Sequence, residues 1–374
     1  MKLPPHQFIT SQKAWQNCLD SLQNQPAIAL DLEANSMYAY RERICLIQIS
    51  LPTQDYIVDP LADIDLAGLG TLIADESVQK IFHAAEYDLL LMKREYQWEL
   101  NNLFDTMWAA RILGYKRFGL ANLLDTVLQV KISKKYQKSN WCKRPLSSAQ
   151  LDYAQHDTNH LIPLRDHLQK ELEAAGRMTE ALEIFADQTK VTPNNHDFDP
   201  DSFWSVHGVN ELSPQQQAVL KNLNIFRDQE ARKRNQPLFK IFGEKTLFQL
   251  AKNMPRNEQE LRQIHGMSRG QVRRLGKAVL KTIQESKQAP PPKRPKRTKR
   301  PSEAVVYRYE KLHHWRKTRA KKRGVESDVI LSRDCLWDIA RQNPHCVEDL
   351  TTINTLGDWR RQTYGTEILE VLQK

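Results

Sequence analysis

Cysteine is scarce and unpatterned: five residues in 374, an odd number, with no C-x-x-C pair. That excludes a disulfide-framed scaffold and a zinc knot, and predicts reduced intracellular thiols. No apolar run approaches the roughly 18 residues of a membrane span. The first 16 residues also lack the apolar stretch of a secretory signal. A cytoplasmic, membrane-free, monomeric protein is expected. Charge balance is missing too. Residues 1–200 carry 20 Lys and Arg against 26 Asp and Glu, a net of −6; residues 201–374 carry 35 against 19, a net of +16. An acidic half joined to a basic half suggests a polyanion gripped by the second half. The plainer alternative is basic surface that only aids solubility.

What is present divides the chain. Strand patterns occur at Ala27–Glu33, Ile44–Ser50, Tyr56–Val58 and Ile81–Phe82. Helical patterns occur at Leu66–Ala74, Glu86–Glu95, Asp105–Leu113, Leu120–Leu128 and Ser148–Ala174. Three closely spaced strands followed by alternating helix and strand predict a mixed sheet flanked by helices, over residues 1–192. The remainder reads as all-helical and repeats itself at an offset of 89 residues without a gap. Leu223 falls on Leu312, Arg227 on Arg316, Ala231 on Ala320, Leu247 on Leu336, Pro255 on Pro344 and Gly276 on Gly365. Two copies of one module are predicted, at 203–287 and 303–374. Between them, 288–302 holds five prolines and six Lys or Arg, the composition of an extended linker. A weaker boundary lies at 192–201.

Side chains alternate along a strand, so Asp31 and Glu33 share one face at the end of an apolar strand. Two acids there repel each other unless a cation lies between them; a solvated strand end is the alternative. Tyr153, Asp157, Leu161, Leu164 and Leu168 form one helical stripe, which turns Asp157 inward with a tyrosine one turn before it. A buried carboxylate requires partners. Asp88 opens a helix after the strand at Ile81, and Asp105 reads as a helix cap.

Taken in order, these residues resemble the tyrosine branch of the DEDD exonuclease superfamily. The D-x-E motif is Asp31-Leu32-Glu33, the second acid is Asp88, and Y-x-x-x-D is Tyr153 to Asp157. The stretches Cys45 to Ser50, Phe104 to Gly114, Lys138 to Trp141 and Arg144 to Leu146 resemble bacterial ribonuclease D and its nuclear-exosome relative. Asn140 departs from the aspartate usual there, which puts a local hydrogen bond in question. The helical copies resemble HRDC domains, the first more clearly at Pro237 to Phe239 and Ile264 to Ser268; Glu326 and Thr355 replace Pro237 and Gly266 in the second.

The resemblance implies an α/β RNase H-like mixed sheet followed by two HRDC-like domains. It also implies a metal-dependent 3′→5′ exoribonuclease that releases nucleoside 5′-monophosphates. Two Mg²⁺ or Mn²⁺ ions about 4 Å apart would be held by Asp31, Glu33, Asp88 and Asp157, with Asp31 bridging and Tyr153 orienting water. RNA is the expected partner, with 3′ ends of tRNA precursors and other small structured RNAs as substrates. A DNA exonuclease and a non-catalytic RNA-binding protein are the alternatives. Residues 111–144 hold nine Lys or Arg and one acid, so Lys138, Trp141 and Arg144 are candidate substrate contacts. Trp141 could equally be core, and His83 reads as a packed, hydrogen-bonded histidine. Arg232 to Arg234 and Arg316 to Arg323 are candidate RNA grips; packing or protein docking is the alternative for these repeats.

Overall fold

The computed structural model describes residues 3–193, 197–295 and 300–373. Its sheet has six strands: β1 (Gln7–Ile9), β2 (Ala27–Ala34), β3 (Ile44–Ser50), β4 (Asp55–Val58), β5 (Gln79–Phe82) and β6 (Leu103–Asp105), in the spatial order β1-β4-β3-β2-β5-β6. β2, β3 and β4 pair antiparallel as a meander, whereas β5 lies parallel to β2 and β6 parallel to β5. β2 therefore sits in the interior of the sheet, and its apolar half, Ala27 to Leu30, is buried on both faces. The helices are α1 (Gln12–Leu22), α2 (Ala67–Ala74), α3 (Glu86–Tyr96), α4 (Thr106–Leu113), α5 (Leu120–Leu123), α6 (Ser148–Asn159), α7 (Leu161–Ala174) and α8 (Met178–Thr189).

The single helix predicted over Ser148–Ala174 is two. Pro163 has no N–H and crowds the carbonyl four residues earlier, so the chain breaks at His160 and restarts as α7. At its other end α6 carries a capping box between Ser147 and Gln150, which fixes where its first turn begins. β1 and β6 were not predicted from sequence. Each is three residues long, too short to show a period.

The repeat is reproduced element by element. In the first copy α9 (Pro214–Arg234), α10 (Leu238–Ile241), α11 (Glu244–Asn253), α12 (Glu258–Gln263) and α13 (Arg269–Ser286) follow in turn. The second copy has α14 (Glu303–Arg323), α15 (Ser327–Ile330), α16 (Arg333–Gln342) and α17 (Asp358–Gln373), with a short 3-10 turn at Asp349–Thr352 in place of α12. The first three helices of each copy correspond end to end at the 89-residue offset. One exchange between the copies is compensated. Gly266 has φ +90°, and a Cβ there would lie 2.1 Å from the Thr246 hydroxyl. In the second copy Cys335 replaces Thr246 and hydrogen-bonds the side chain of Thr355, the residue at the glycine position.

The chain forms two compact units. One is the first copy together with the β2–β3 loop Asn35–Arg43, where Tyr40 donates to Asp228 at 2.5 Å and accepts from Arg232 at 2.9 Å. The other combines the sheet domain with the second copy. Within that unit Arg323 forks onto Glu180 at 2.7 and 2.8 Å and also donates to the Tyr364 hydroxyl. Arg360 pairs with Glu183 and Asp187, and Arg111 with Glu326 and Asp328. These contacts take two arginines of the Arg316–Arg323 run into packing. Arg323 is bound to Glu180, and Arg316 is buried against the Leu331 carbonyl at 2.8 Å. Arg111 is likewise withdrawn from the basic stretch, whereas Lys317, Lys321 and Lys322 remain exposed. Of the basic linker, residues 290–295 carry neither helix nor strand and residues 296–299 lie outside the described residues. Residues 194–196 of the weaker boundary also lie outside them.

Candidate active site

The site is built where β2 leaves the apolar core. Asp31 lies directly opposite Gln48 of β3, and Glu33 opposite Leu46, so both acids project from the sheet face that α6 covers. α6 presents Asp157 there, with Tyr153 one turn earlier and hydrogen-bonded to it. One carboxylate oxygen from each of Asp31, Glu33 and Asp157 lies within 4.8 Å of the others. Asp88 comes from the first turn of α3, is 6% exposed, and acts on Asp31 and Glu33 through its charge. The structure thus brings all five sequence-predicted residues to one place, three of the acids at ligand spacing and the fourth within electrostatic range.

The electrostatics show what the cluster requires. Burial, then the charges of Asp88, Asp157 and Glu33, hold the Asp31 carboxyl well above the usual carboxylate range. Glu33 is pushed up to about 9 by burial and by Asp157 and Asp88. Asp88 rises to about 8 through burial and the nearby Asp105. Asp157 rises to about 7 through burial, against the opposing hydrogen bond from Tyr153. Burial and the neighbouring acids push the Tyr153 hydroxyl further up, so it remains a donor. Among the described residues no Lys or Arg charge offsets these four carboxylates. Acids buried together that raise one another fit an added cation, and an all-oxygen donor set suits a hard divalent ion.

Asp105 does more than cap α4. Its carboxylate accepts from Met107 and Trp108 at the helix start, and also from the backbone N–H groups of Ala84 at 3.1 Å and Ala85 at 2.8 Å. Ala84 holds a φ of +62°, an uncommon conformation for a residue with a side chain. The aspartate therefore pins the bend that launches α3 and sets Asp88. Asp105→Ala is expected to cost about 3 kcal/mol in chemical denaturation, since it strips a charged acceptor from four backbone donors. The same variant should lower metal-dependent activity by more than tenfold, whereas a mere helix cap would affect stability alone. His83 stands on this junction, its Nδ1 3.0 Å from the Thr106 hydroxyl, and burial pushes it down to about 4, so it is neutral.

The proposed substrate contacts are distributed differently. Trp141 is 1% exposed, its ring 5.9 Å from that of Tyr153, so it is core beneath the tyrosine. Arg144 is committed bidentately to Asp59 at 2.6 Å, and it also donates to the Cys45 and Trp141 carbonyls. Both belong to the packing that supports the site. Lys138 is exposed. Asn140, the residue that departs from the family pattern, has its side-chain oxygen buried without a partner. The expectation of free thiols is corrected at one place. Cys45 and Cys142 form a disulfide that ties the Trp141 loop to β3, while Cys18, Cys335 and Cys346 are free. The two are 97 residues apart, and only the fold brings them together.

Residues 6–173 match the 3′–5′ exonuclease family, and residues 216–283 and 307–372 each match the HRDC domain. Ribonuclease D of Sphingobium indicum is 30% identical over 70% of this chain and 68% of its own length. Ribonuclease D of Gluconacetobacter diazotrophicus is 28% identical over 98% of this chain and 92% of its own. The crystal structure of Escherichia coli RNase D superposes over 99% of both chains with a TM-score of 0.69 at 23% identity, a likeness of fold.

Proposed function

Because the chain belongs to the ribonuclease D family of 3′→5′ exoribonucleases, we propose that Asp31, Glu33, Asp88 and Asp157, with Tyr153, form its hydrolytic centre. The observation that carries the assignment is the convergence of three carboxylates at ligand spacing, with no compensating cationic side chain among the described residues. Asp31 is central in the cluster, raised by all three other acids, and would be the ligand common to the divalent ions held there. Glu33 and Asp157 would complete the ligands of one ion, and Asp88 would support a second. When bound, divalent cations supply charge neutralisation at the phosphate and acidify the attacking water.

Tyr153 holds its proton and donates it in a hydrogen bond to Asp157, which fixes the hydroxyl so that its oxygen would accept from and orient the attacking water. The water oxygen bonds to phosphorus, the bond to the 3′ oxygen of the preceding nucleotide breaks, and that oxygen leaves as a hydroxyl. The terminal residue departs as a nucleoside 5′-monophosphate. We assign small structured RNAs, tRNA precursors among them, as substrates, with action from the 3′ end in the cytoplasm. No helix among the described residues is long and apolar enough to cross a membrane.

A digest of RNA labelled at either end, with Mn²⁺ or with chelator, tests the reading. The expected product from a 3′ label is the labelled mononucleotide at once, and from a 5′ label a shortening ladder, both abolished by chelator. Internal cuts or chelator-resistant digestion would overturn it. RNA contact is assigned to the exposed lysines Lys317, Lys321 and Lys322. Changing all three to alanine should make the slope of log binding constant against log salt shallower by about 2, at roughly 0.7 per lost single-strand phosphate contact. An unchanged slope removes them from the RNA-binding surface.

A further inference from the structure

Gln48 is the most anomalous side chain near the acids. It lies in the middle of β3, fully buried, and neither its amide nitrogen nor its amide oxygen has a hydrogen-bond partner. Leaving both groups of a buried carboxamide unsatisfied costs about 1–3 kcal/mol for each. Strand β3 is otherwise almost wholly apolar, and a methionine or leucine would fill the position at no such cost. The residue directly across the antiparallel ladder is Asp31, and on the other side it is Ile57. Side chains at directly opposed positions leave the sheet on the same face, with Cβ atoms roughly 4.5–5.5 Å apart. The idle amide therefore leaves the sheet on the same face as, and directly opposite, the carboxylate that is central to the site. The neighbouring polar groups on this face are taken: Ser50 by Thr158 at 2.7 Å, and one oxygen of Asp55 by Gln155 and Asn159.

We propose that Gln48 is a positioning residue for Asp31, its side-chain N–H donating to the carboxylate and so fixing how that carboxylate would face divalent cations. The proposal rests on the assignment of Asp31 as a metal ligand. A donor of this kind strengthens when the carboxylate is charged, and fixes its plane before RNA arrives. It does not touch substrate, so its loss should spare RNA binding.

The test uses the full-length chain and Mn²⁺ itself as the probe. Gln48→Met keeps the shape and removes the donor. Its metal-free form is expected to unfold at the same temperature as wild type or higher, because an unsatisfied group has gone. Its Mn²⁺ affinity, by titration calorimetry, should fall by roughly 10- to 100-fold. On a short RNA, kcat at limiting Mn²⁺ should fall with it while KM is unchanged. A purely structural glutamine predicts unchanged Mn²⁺ affinity and kcat, and that result overturns the proposal. Gln48→Asn retains an amide too short to reach. It should show the same loss of affinity and decides the matter should the methionine variant not fold; full affinity in it also overturns the proposal. Asp31→Asn run in parallel separates the two levels. Wild-type Mn²⁺ affinity there would remove the metal assignment itself, whereas its loss there with retention in Gln48→Met would remove only the role of Gln48.

Discussion

Asp31→Asn is expected to lower the exonuclease rate on the order of 10³-fold or more while the metal-free protein becomes no less stable. The substitution keeps the volume and loses the charge at the point where three other acids converge. The stability half follows from linkage. Glu33 at about 9, Asp88 at about 8 and Asp157 at about 7 stand above the ordinary carboxylate values near 4 of an unfolded chain. Between those limits the folded protein binds more protons than the unfolded one, so its stability falls as pH rises. Below about pH 4 both states are protonated and the penalty is absent. In chelator, the wild-type unfolding temperature should therefore drop between about pH 5 and 9, and Mn²⁺ should restore it. Asp31→Asn should flatten that pH dependence. A variant that keeps its activity, or a wild type with no such slope, is the contrary result.

The second large effect concerns the packing of the second helical repeat against the sheet domain. Arg323→Ala should destabilise the protein by about 3–5 kcal/mol, because it leaves Glu180 buried with no charge partner. Glu180 is 1% exposed and its two oxygens take both arms of the guanidinium. Chemical denaturation of the single variant, of Glu180→Leu and of the double variant would apportion the loss. The double should recover most of it, since replacing a buried ion pair by apolar groups is often neutral whereas breaking one is not. A loss below about 1 kcal/mol in Arg323→Ala would instead match a solvent-exposed pair.

The parts of this structure that could be read from sequence are those set by local rules. The ends of α9 and α14 coincide at the repeat offset because caps and buried positions recur with it. Asp31 with Glu33, and Tyr153 with Asp157, are legible because strand and helix periods turn each pair to one face. What escaped is long in sequence and short in space. Arg144 reads as a free cation until β4 delivers Asp59 from 85 residues away. Arg111 does so until α15 arrives with acids 215 and 217 residues on. Asp105 was recognisable as a cap, but its hold on Ala84 and Ala85 depends on the parallel pairing of β5 with β6. Gln48 lies inside the Cys45–Ser50 stretch, and only the strand register sets it against Asp31.

The first three helices of the two copies coincide with no insertion, so one packing scheme serves both. In the second copy, arginines of α14 and α17 are mortar for α8, and threonine stands at the glycine turn where the facing residue is cysteine. That copy's surface is therefore divided: its arginines hold the sheet domain, and the exposed lysines of α14 are what it leaves for a polyanion.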